Sequence, residues 1–231
     1  MMAKQEATTA YWRTRARSFG PGWINRYRDS WQAPYRQELL TALGHFVGSG
    51  ARSVLEVGCH CGPNLALWRS HWPQLLLRGF DVSAEAVQAA QAQFADDPNT
   101  RVWLEDLMQG LQMPMVDVVV SCYALAYVVP DQLDGVLDRM LSAARRGVII
   151  AEPMVDATKN LVAGPCAVMT EEYRTLDHSG HEASIEEYRH DYLLGISEWL
   201  RRQHRRGSLS TTWIDPVFRM NGILTFEHGG P

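Results

Sequence analysis

Residues 53–68 read SVLEVGCHCGPNLALW and predict a buried strand, a tight glycine turn and the start of a helix. The segment SVLEV is short and mostly apolar, which is typical of a strand covered on both faces. Pro63 fits the first turn of a helix, where its missing N–H needs no partner. The turn itself contains Cys59, His60 and Cys61, a combination that could form a metal site, a redox pair or a cradle for a ligand.

The alternation of strand and helix continues over roughly 100 residues beyond this turn. Further strands are predicted in LLLRGFDV (75–82), TRVWL (100–104), VDVVVSCY (116–123) and GVIIAE (147–152). Helices are predicted over 37–46, 83–95 and 130–144, with Ser83 as an N-cap. Because the strands are too apolar to face water, the pattern predicts a doubly wound α/β fold. Its sheet would be mostly parallel, with helices on both faces.

The length of 231 residues fits a single domain. Four parts are predicted along it: a cap rich in aromatic residues and arginine (1–36), a core (37–152), an insertion (153–206) and a C-terminal β hairpin (207–231). The cap is expected to be irregular or to contain short helices, and residues 184–206 are expected to be helical. The hairpin would pair antiparallel at the edge of the sheet.

Charge and composition narrow the class of function. The formal net charge of -4 would on average repel a phosphate backbone, which makes a nucleic-acid partner unfavourable. Four cysteines give no disulfide framework, so a cytoplasmic location is expected. The chain begins without the apolar segment of a secretory signal, and no stretch is long and apolar enough to span a bilayer, so no membrane partner is expected.

The glycine turn lies where doubly wound sheets bind ligands, at the carboxyl ends of the strands. Its two glycines, Gly58 and Gly62, do not match G-x-G-x-x-G, which disfavours a nicotinamide-dependent oxidoreductase, and no P-loop is present. Structural zinc sites need a second pair of ligands elsewhere, and Cys59, His60 and Cys61 have none in sequence. We therefore interpret the turn as a backbone cradle for a ligand and predict no metal.

The segment VLEVGCHCG (54–62) resembles the first motif of class I S-adenosylmethionine-dependent methyltransferases, which usually read E/D-x-G-x-G-x-G. Four further segments resemble the family in the same order: GFDVSAEAVQAA (79–90), LEDL (104–107), VDVVVSCYALAYV (116–128) and RRGVIIAEP (145–153). The resemblance implies a Rossmann-like fold with a seven-stranded sheet. It also implies S-adenosylmethionine as cofactor and S-adenosylhomocysteine as product. His60 departs from the family pattern, because a glycine is expected there.

The resemblance also implies which residues bind the cofactor. Glu56 would meet the amino group of the methionine moiety, and Asp81 would accept the ribose hydroxyls. Asp106 would accept the adenine amino hydrogens, with Leu107 covering the ring. The complete predicted set is Tyr11, Trp12, Glu56, Gly58, Cys59, His60, Asp81, Val82, Glu105, Asp106, Leu107, Ser121, Cys122 and Tyr123. Any one carboxylate is also compatible with a capping or turn role, but their placement at consecutive strand ends favours one site.

For the acceptor, the resemblance implies methyl transfer to an O or N nucleophile, with specificity carried by residues 1–36 and 153–206. Tyr11 and Trp12 resemble a lid over the cofactor and acceptor. Tyr127 and His190 are the candidate bases, Tyr127 because many relatives carry a histidine after the fourth strand. Two further histidines, His178 and His181, lie in a polar stretch that is expected to be exposed.

A small-molecule acceptor is predicted, because the Asn/Asp-Pro-Pro-Tyr motif of enzymes that methylate amino groups in nucleic acids is absent after the fourth strand. A protein or a sugar remains an alternative acceptor. The histidine in the glycine turn motivates another alternative, a protein that binds S-adenosylmethionine or uses it without methyl transfer. The oligomeric state is not predicted.

Overall fold

The computed structural model describes residues 2–19, 21–28, 34–110, 112–153, 169–176, 182–189, 210–213 and 221–227. Its helices are α1 (Met2–Phe19), α2 (Pro21–Arg28), α3 (Pro34–Gly48), α4 (Pro63–His71), α5 (Ala84–Gln93) and α6 (Pro130–Ala143). Its strands are β1 (Ser53–Val57), β2 (Leu76–Asp81), β3 (Thr100–Leu104), β4 (Val116–Cys122), β5 (Ala144–Pro153), β6 (Met169–Leu176), β7 (Glu182–Arg189), β8 (Ser210–Trp213) and β9 (Asn221–Glu227). A 3-10 turn at Leu125–Tyr127 follows β4.

The first five strands form a parallel sheet in the order β3-β2-β1-β4-β5. This order confirms the predicted α/β fold with a parallel sheet. The chain reverses its direction of winding between β1 and β4, and a ligand crevice is expected at such a switch point. Beyond β5 the sheet order continues with β9 and then β8, both paired antiparallel.

The core lies on both faces of the parallel sheet, because consecutive strand residues point to opposite faces. One cluster contains Val54, Val118 and Ile149 with apolar residues of α3, α4 and α5. The other contains their chain neighbours Leu55, Val119 and Ile150 with apolar residues of α6. Burial on both faces explains why these strands are almost continuously apolar.

The N-terminal ends of α4 and α5 fix the loops that precede them, at the carboxyl ends of β1 and β2. Ser83 caps α5, since its hydroxyl oxygen accepts a hydrogen bond from the Ala86 amide, as predicted. Gly62 precedes α4 in the left-handed region at φ 77°, and Pro63 then begins the helix.

One prediction about local structure is right in part and another is wrong. Of the two forms expected for the cap, irregular or short-helical, the described residues show helices: α2 has eight residues, but α1 is longer than expected, a continuous helix of 18 residues. It contains neither glycine nor proline, and the predicted interruption falls just after it, where α2 begins at Pro21. Residues 184–189 are not helical, because they belong to β7, which pairs antiparallel with β6. This pairing sets Tyr173 opposite Ile185, and aromatic and β-branched residues favour strands.

Strand β7 lies beside α1 and beside the 3-10 turn after β4. The insertion therefore reaches the end of the sheet where the glycine turn is found. None of the helices in the described residues is long and apolar enough to cross a bilayer.

Candidate active site

A cavity of about 380 Å³ lies at the carboxyl ends of the central strands, within the usual size range of ligand pockets. Its walls come from the glycine turn, from the loops after β2, β3 and β4, and from the first three helices. The lining residues are Gln5, Thr8, Thr9, Trp12, Tyr27, Tyr35, Arg36, Glu56, Gly58, Cys59, His60, Pro63, Asn64, Phe80, Asp81, Val82, Glu105, Asp106, Leu107, Met108, Cys122, Tyr123, Ala124, Tyr127 and Val128.

The glycine turn curls because alternate residues take positive φ angles: 70° at Gly58, 51° at His60 and 77° at Gly62. Glycine is required at the first of these positions on steric grounds as well. A Cβ atom on Gly58 would lie 2.6 Å from the Cβ atom of Ala124, which follows β4. The turn therefore packs against the loop after β4 with no room for a side chain.

His60 is held in its left-handed conformation by one contact of its backbone and one of its ring. Its amide donates a hydrogen bond of 2.8 Å to Asp81 Oδ2, and its ring lies 4.5 Å from that of Tyr27 on α2. A left-handed residue other than glycine costs roughly 1–2 kcal/mol, which ring packing can offset. Burial lowers the pKa of His60 to about 3, with Arg15 and Arg36 contributing, so the imidazole is neutral.

The two cysteines of the turn point to different neighbours. The Sγ atom of Cys59 fills the space that a Cβ atom on Gly79 would occupy, and Cys61 Sγ donates to the Ile24 carbonyl of α2 at 3.7 Å. Burial raises the pKa of both thiols, that of Cys61 to about 11. Because redox and metal chemistry need the thiolate, protonated thiols favour a packing role. Within the described part of the chain, no group of three His, Cys, Asp or Glu side chains is arranged as a metal site.

A buried chain of three polar side chains closes one end of the cavity. Arg36 on α3 donates to Asn64 Oδ1, and Asn64 at the start of α4 donates to Glu56 Oε1. Burial raises the pKa of Glu56 to about 8, although the hydrogen bond from Asn64 and the charge of Arg36 oppose this shift. The second oxygen of Glu56, Oε2, is buried and has no hydrogen-bond partner among the described residues.

Two more carboxylates stand at the ends of the next strands. Asp81 ends β2 and accepts hydrogen bonds from the amides of His60 and Ser83 at 2.8 and 2.9 Å. Burial raises the pKa of Asp81, while these hydrogen bonds act in the opposite direction. Asp106 follows β3. Its Oδ1 accepts from the Met108 amide and its Oδ2 from the Arg13 guanidinium, both at 2.9 Å.

The loop after β4 is fixed by hydrogen bonds to Glu152, a buried residue on β5. Its Oε1 accepts hydrogen bonds from the Ser121 hydroxyl at 3.0 Å and from the amides of Ala124 and Leu125 at 3.0 and 2.9 Å. Tyr123 at the head of this loop has a positive φ of 58°, a conformation that persists only where surrounding contacts impose it. The loop is therefore set rigidly at the cavity wall.

Helix α1 covers the other side. Gln5 bridges the loop after β4, because its Nε2 donates to the Tyr127 carbonyl at 3.2 Å and its Oε1 accepts from the Val129 amide at 2.9 Å. Two turns along the helix, the Trp12 ring packs edge-on against the Tyr127 ring at 4.7 Å. Tyr11 packs against Trp12 at 5.4 Å but does not line the cavity.

The structure brings the predicted cofactor residues together at this cavity, apart from Tyr11 and Ser121. Ser121 is fully buried and its hydroxyl is directed to Glu152. Of the candidate bases, Tyr127 lines the cavity, whereas His190, His178 and His181 lie outside the described residues. Sequence reasoning missed Gln5, Arg36 and Asn64. Of these three, only Asn64 could have been found from the sequence, because it follows Glu56 by eight residues and lies at the predicted start of a helix.

The fold and the cavity together define a Rossmann-like α/β protein with a cavity at the carboxyl ends of a parallel sheet. Residues 54–147 match the family described as "Methyltransferase domain". This match confirms the resemblance to the class I S-adenosylmethionine-dependent methyltransferases over those residues.

Solved structures of similar fold cover nearly all of the chain. One, described as a DhpI-SAM-HEP complex, has a TM-score of 0.68 and 18% identity, covering 98% of each chain. Another, magnesium protoporphyrin IX methyltransferase (ChlM) from Synechocystis PCC 6803 with bound SAM, has a TM-score of 0.66 and 16% identity, covering 98% of this chain and 97% of the other. At such identities the likeness concerns the fold.

A curated relative, the tRNA N(3)-cytidine methyltransferase METTL2 of Bos taurus, is 29% identical over 139 residues. The match takes in 53% of this chain and 37% of that protein. The chain therefore spans little more than a third of the curated relative it matches.

The cavity fits S-adenosylmethionine on two observations. The buried Glu56 Oε2 lacks a donor among the described residues, and an ammonium group would supply one. Gly58 lines the cavity in the left-handed region at φ 70° and has no side chain, so its backbone is directly accessible from the cavity. The chemistry of both features matches the methionine end of this cofactor.

Proposed function

We propose that this protein is a methyltransferase that uses S-adenosylmethionine to methylate an O or N nucleophile of a small molecule. The observation that carries the proposal is that Glu56, Asp81 and Asp106, at the ends of three neighbouring parallel strands, line one cavity. The proposal includes a seven-stranded sheet with an antiparallel C-terminal hairpin and a cytoplasmic setting. Residues 1–36 and 153–206 would form the acceptor side.

The lining residues divide by charge along the length of the cofactor. Arg36 would bind the carboxylate of the methionine moiety and Glu56 its ammonium group, an arrangement of charged hydrogen bonds in a dry site. Asp81 would accept the ribose hydroxyls. Asp106 would accept the adenine amino group, with Leu107 and Met108 beside the ring.

When bound, the cofactor supplies a methyl group on a sulfonium centre, which makes the carbon electrophilic. The protein holds the acceptor in line with that carbon and excludes water, and alignment of this kind accounts for much of the rate enhancement. Tyr127 lines the cavity and is our candidate base, which would take the acceptor proton as its own hydroxyl proton passes to water. His190 is retained as a second candidate from sequence alone.

An RNA acceptor is the second candidate, because the curated relative is named as a tRNA methyltransferase. Two observations favour a small molecule instead. The formal net charge is -4, and α1 is hydrogen-bonded to loops on two sides of the cavity through Arg13 and Gln5, so the helix restricts the approach of a large acceptor.

The cofactor assignment is tested by calorimetric titration of S-adenosylhomocysteine. We expect micromolar binding to the wild type and at least tenfold weaker binding to Asp81→Ala, because charged hydrogen bonds contribute about 1.5–3 kcal/mol. Asp96→Ala is the matched control, since this aspartate is exposed and lies outside the cavity. Absence of binding to the wild type, or equal binding to the two variants, would contradict the assignment.

The acceptor class is tested by incubating the protein with S-adenosylmethionine labelled in the methyl group. One series of reactions contains small phenols, alcohols and amines, and another contains total tRNA. Label in a small molecule supports the proposal, while label in tRNA supports the second candidate. Tight cofactor binding without transfer to any acceptor would favour the cofactor-binding alternative.

A further inference from the structure

The N-terminal helices contribute three aromatic side chains to the cavity, and each packs against one ring on a loop of the parallel sheet. The pairs are Trp12 with Tyr127 at 4.7 Å, Tyr27 with His60 at 4.5 Å, and Tyr35 with Tyr123 at 5.2 Å between ring centroids. All six rings line the same cavity. One wall of the site is therefore aromatic, assembled from two distant parts of the chain.

Two of these rings, Tyr123 and Tyr127, lie on a loop that is held in place by hydrogen bonds. Glu152 fixes the loop that carries Tyr123 and Tyr127, and Gln5 holds the Tyr127 carbonyl. The Arg15 guanidinium lies over the Trp12 ring at 4.8 Å. A wall ordered in this way loses little conformational entropy when a flat ligand packs against it.

Two guanidinium groups stand on rings of the aromatic wall. Arg15 lies over the Trp12 ring at 4.8 Å, and Arg36 lies over the Tyr35 ring at 4.9 Å. The polar side chains that α1 adds to the lining are neutral: Gln5, Thr8 and Thr9. His60 is neutral as well, because burial lowers its pKa to about 3. The wall therefore recognises a ligand through its aromatic faces rather than by selecting for an uncharged molecule.

We propose that the acceptor is a planar aromatic compound with a hydroxyl group or ring nitrogen, which packs against Trp12, Tyr35, Tyr123 and Tyr127. This inference rests on the proposed function, whose acceptor it narrows. Flat rings stack on aromatic side chains in offset or edge-on arrangements, whereas a saturated ring of the same size cannot.

In the transfer, the acceptor oxygen or nitrogen forms a bond to the methyl carbon as the carbon–sulfur bond breaks, and that electron pair stays on sulfur. The proton of a hydroxyl acceptor passes to water, directly or through the Tyr127 hydroxyl, which gives up its own proton as it takes this one. A ring nitrogen that carries no proton keeps the positive charge after methylation. The positive charge lost from sulfur therefore leaves with the proton or stays on the nitrogen, and the step needs no oxidant or reductant.

The test uses the full chain saturated with S-adenosylhomocysteine and two calorimetric probes. These are 1-naphthol and its saturated analogue decahydro-1-naphthol. We expect 1-naphthol to bind at least tenfold more tightly than the saturated analogue. Equal binding of the two overturns the inference.

A pair of variants locates the binding. Trp12→Leu should weaken 1-naphthol binding at least fivefold more than it weakens S-adenosylhomocysteine binding. Trp72→Leu, which removes a ring that packs on the core outside the cavity, should leave both affinities within twofold. If S-adenosylhomocysteine binds the wild type but Trp12→Leu does not affect 1-naphthol, only the aromatic acceptor is refuted. If S-adenosylhomocysteine itself does not bind, the proposed function fails and this inference with it.

Discussion

The Arg13 guanidinium lies 2.9 Å from Asp106 Oδ2, which joins the first helix to the loop after β3. The same helix is joined to the loop after β4 through Gln5 and the Val129 amide. Helix α1 therefore crosses the cavity and is attached at both sides. Arg13 binds the same Asp106 carboxylate that we assign to the adenine. The position of α1 and the binding of the cofactor are therefore coupled through Asp106.

The first prediction concerns this attachment. Because the Arg13 side chain is about half exposed, the pair contributes no more than roughly 1 kcal/mol. Arg13→Ala should therefore leave the global stability almost unchanged but accelerate amide hydrogen exchange in α1 about two- to fivefold. Mass spectrometry of deuterated peptides measures this. Arg101→Ala, on the exposed face of β3, is the control, and equal acceleration by both variants would argue against the attachment.

The second prediction separates backbone strain from steric contact at glycine. Gly58 and Gly110 have nearly the same positive φ, 70° and 69°, but a Cβ atom meets Ala124 at the first and open space at the second. Gly110→Ala should cost about 1 kcal/mol of folding free energy and leave cofactor affinity intact. Gly58→Ala should cost more, and should weaken S-adenosylhomocysteine binding at least tenfold because it displaces the loop after β4. Urea denaturation and calorimetry distinguish the two, and similar results for both variants would contradict the steric account.

The third prediction tests strain at His60. Both His60→Ala and His60→Gly lose the ring contact with Tyr27, but only alanine keeps a side chain in the left-handed region. The glycine variant should therefore be more stable than the alanine variant by about 1 kcal/mol. At Gln88, an exposed position within α5, the order should reverse because glycine is the poorer helix former. The same order at both positions would mean that His60 is not strained.

The fourth prediction concerns pH. Burial raises the pKa of Glu56 from 4.5 to about 8, so between these values the folded protein holds a proton that the unfolded chain has released. Stability from this group is therefore lost as pH rises through that window, on the order of 3–4 kcal/mol. Glu56→Gln should lack this loss. Urea unfolding at pH 5 and pH 8 measures the difference, and identical pH dependence in both proteins would refute the shifted pKa.

A ligand with an ammonium group favours ionised Glu56, so S-adenosylhomocysteine binding at pH 7 should release a proton. Calorimetry in buffers of different ionisation enthalpy detects this release. The release should disappear in Glu56→Gln. A proton count that is unchanged by the substitution would assign the release to another group.

The sequence was sufficient to predict the parallel sheet and the strand-end carboxylates, because both follow from local rules. Apolar strands alternating with helices indicate a covered parallel sheet, and Asp81 and Asp106 each end or follow such a strand. Parallel strands bring their carboxyl ends to one edge, so positions along the chain translate directly into proximity in space.

The rest of the site depends on tertiary contacts that no local pattern encodes. Arg36 joins Glu56 only through Asn64, and this requires the packing of α3 against α4. Residues 184–189 have the composition of a helix or a strand, and pairing with β6 decides between the two. The face that α1 turns to the cavity is similarly fixed by Gln5 and its distant partners.

The hydrogen bond between Gln5 and the Val129 amide joins residues 124 positions apart. During synthesis the first helix leaves the ribosome well before its partner exists, and contacts of such separation form slowly because a long loop must close. The aromatic wall therefore assembles only after the loop following β4 has been made and folded. Among the described elements that form the cavity, the one translated first is among the last to reach its place.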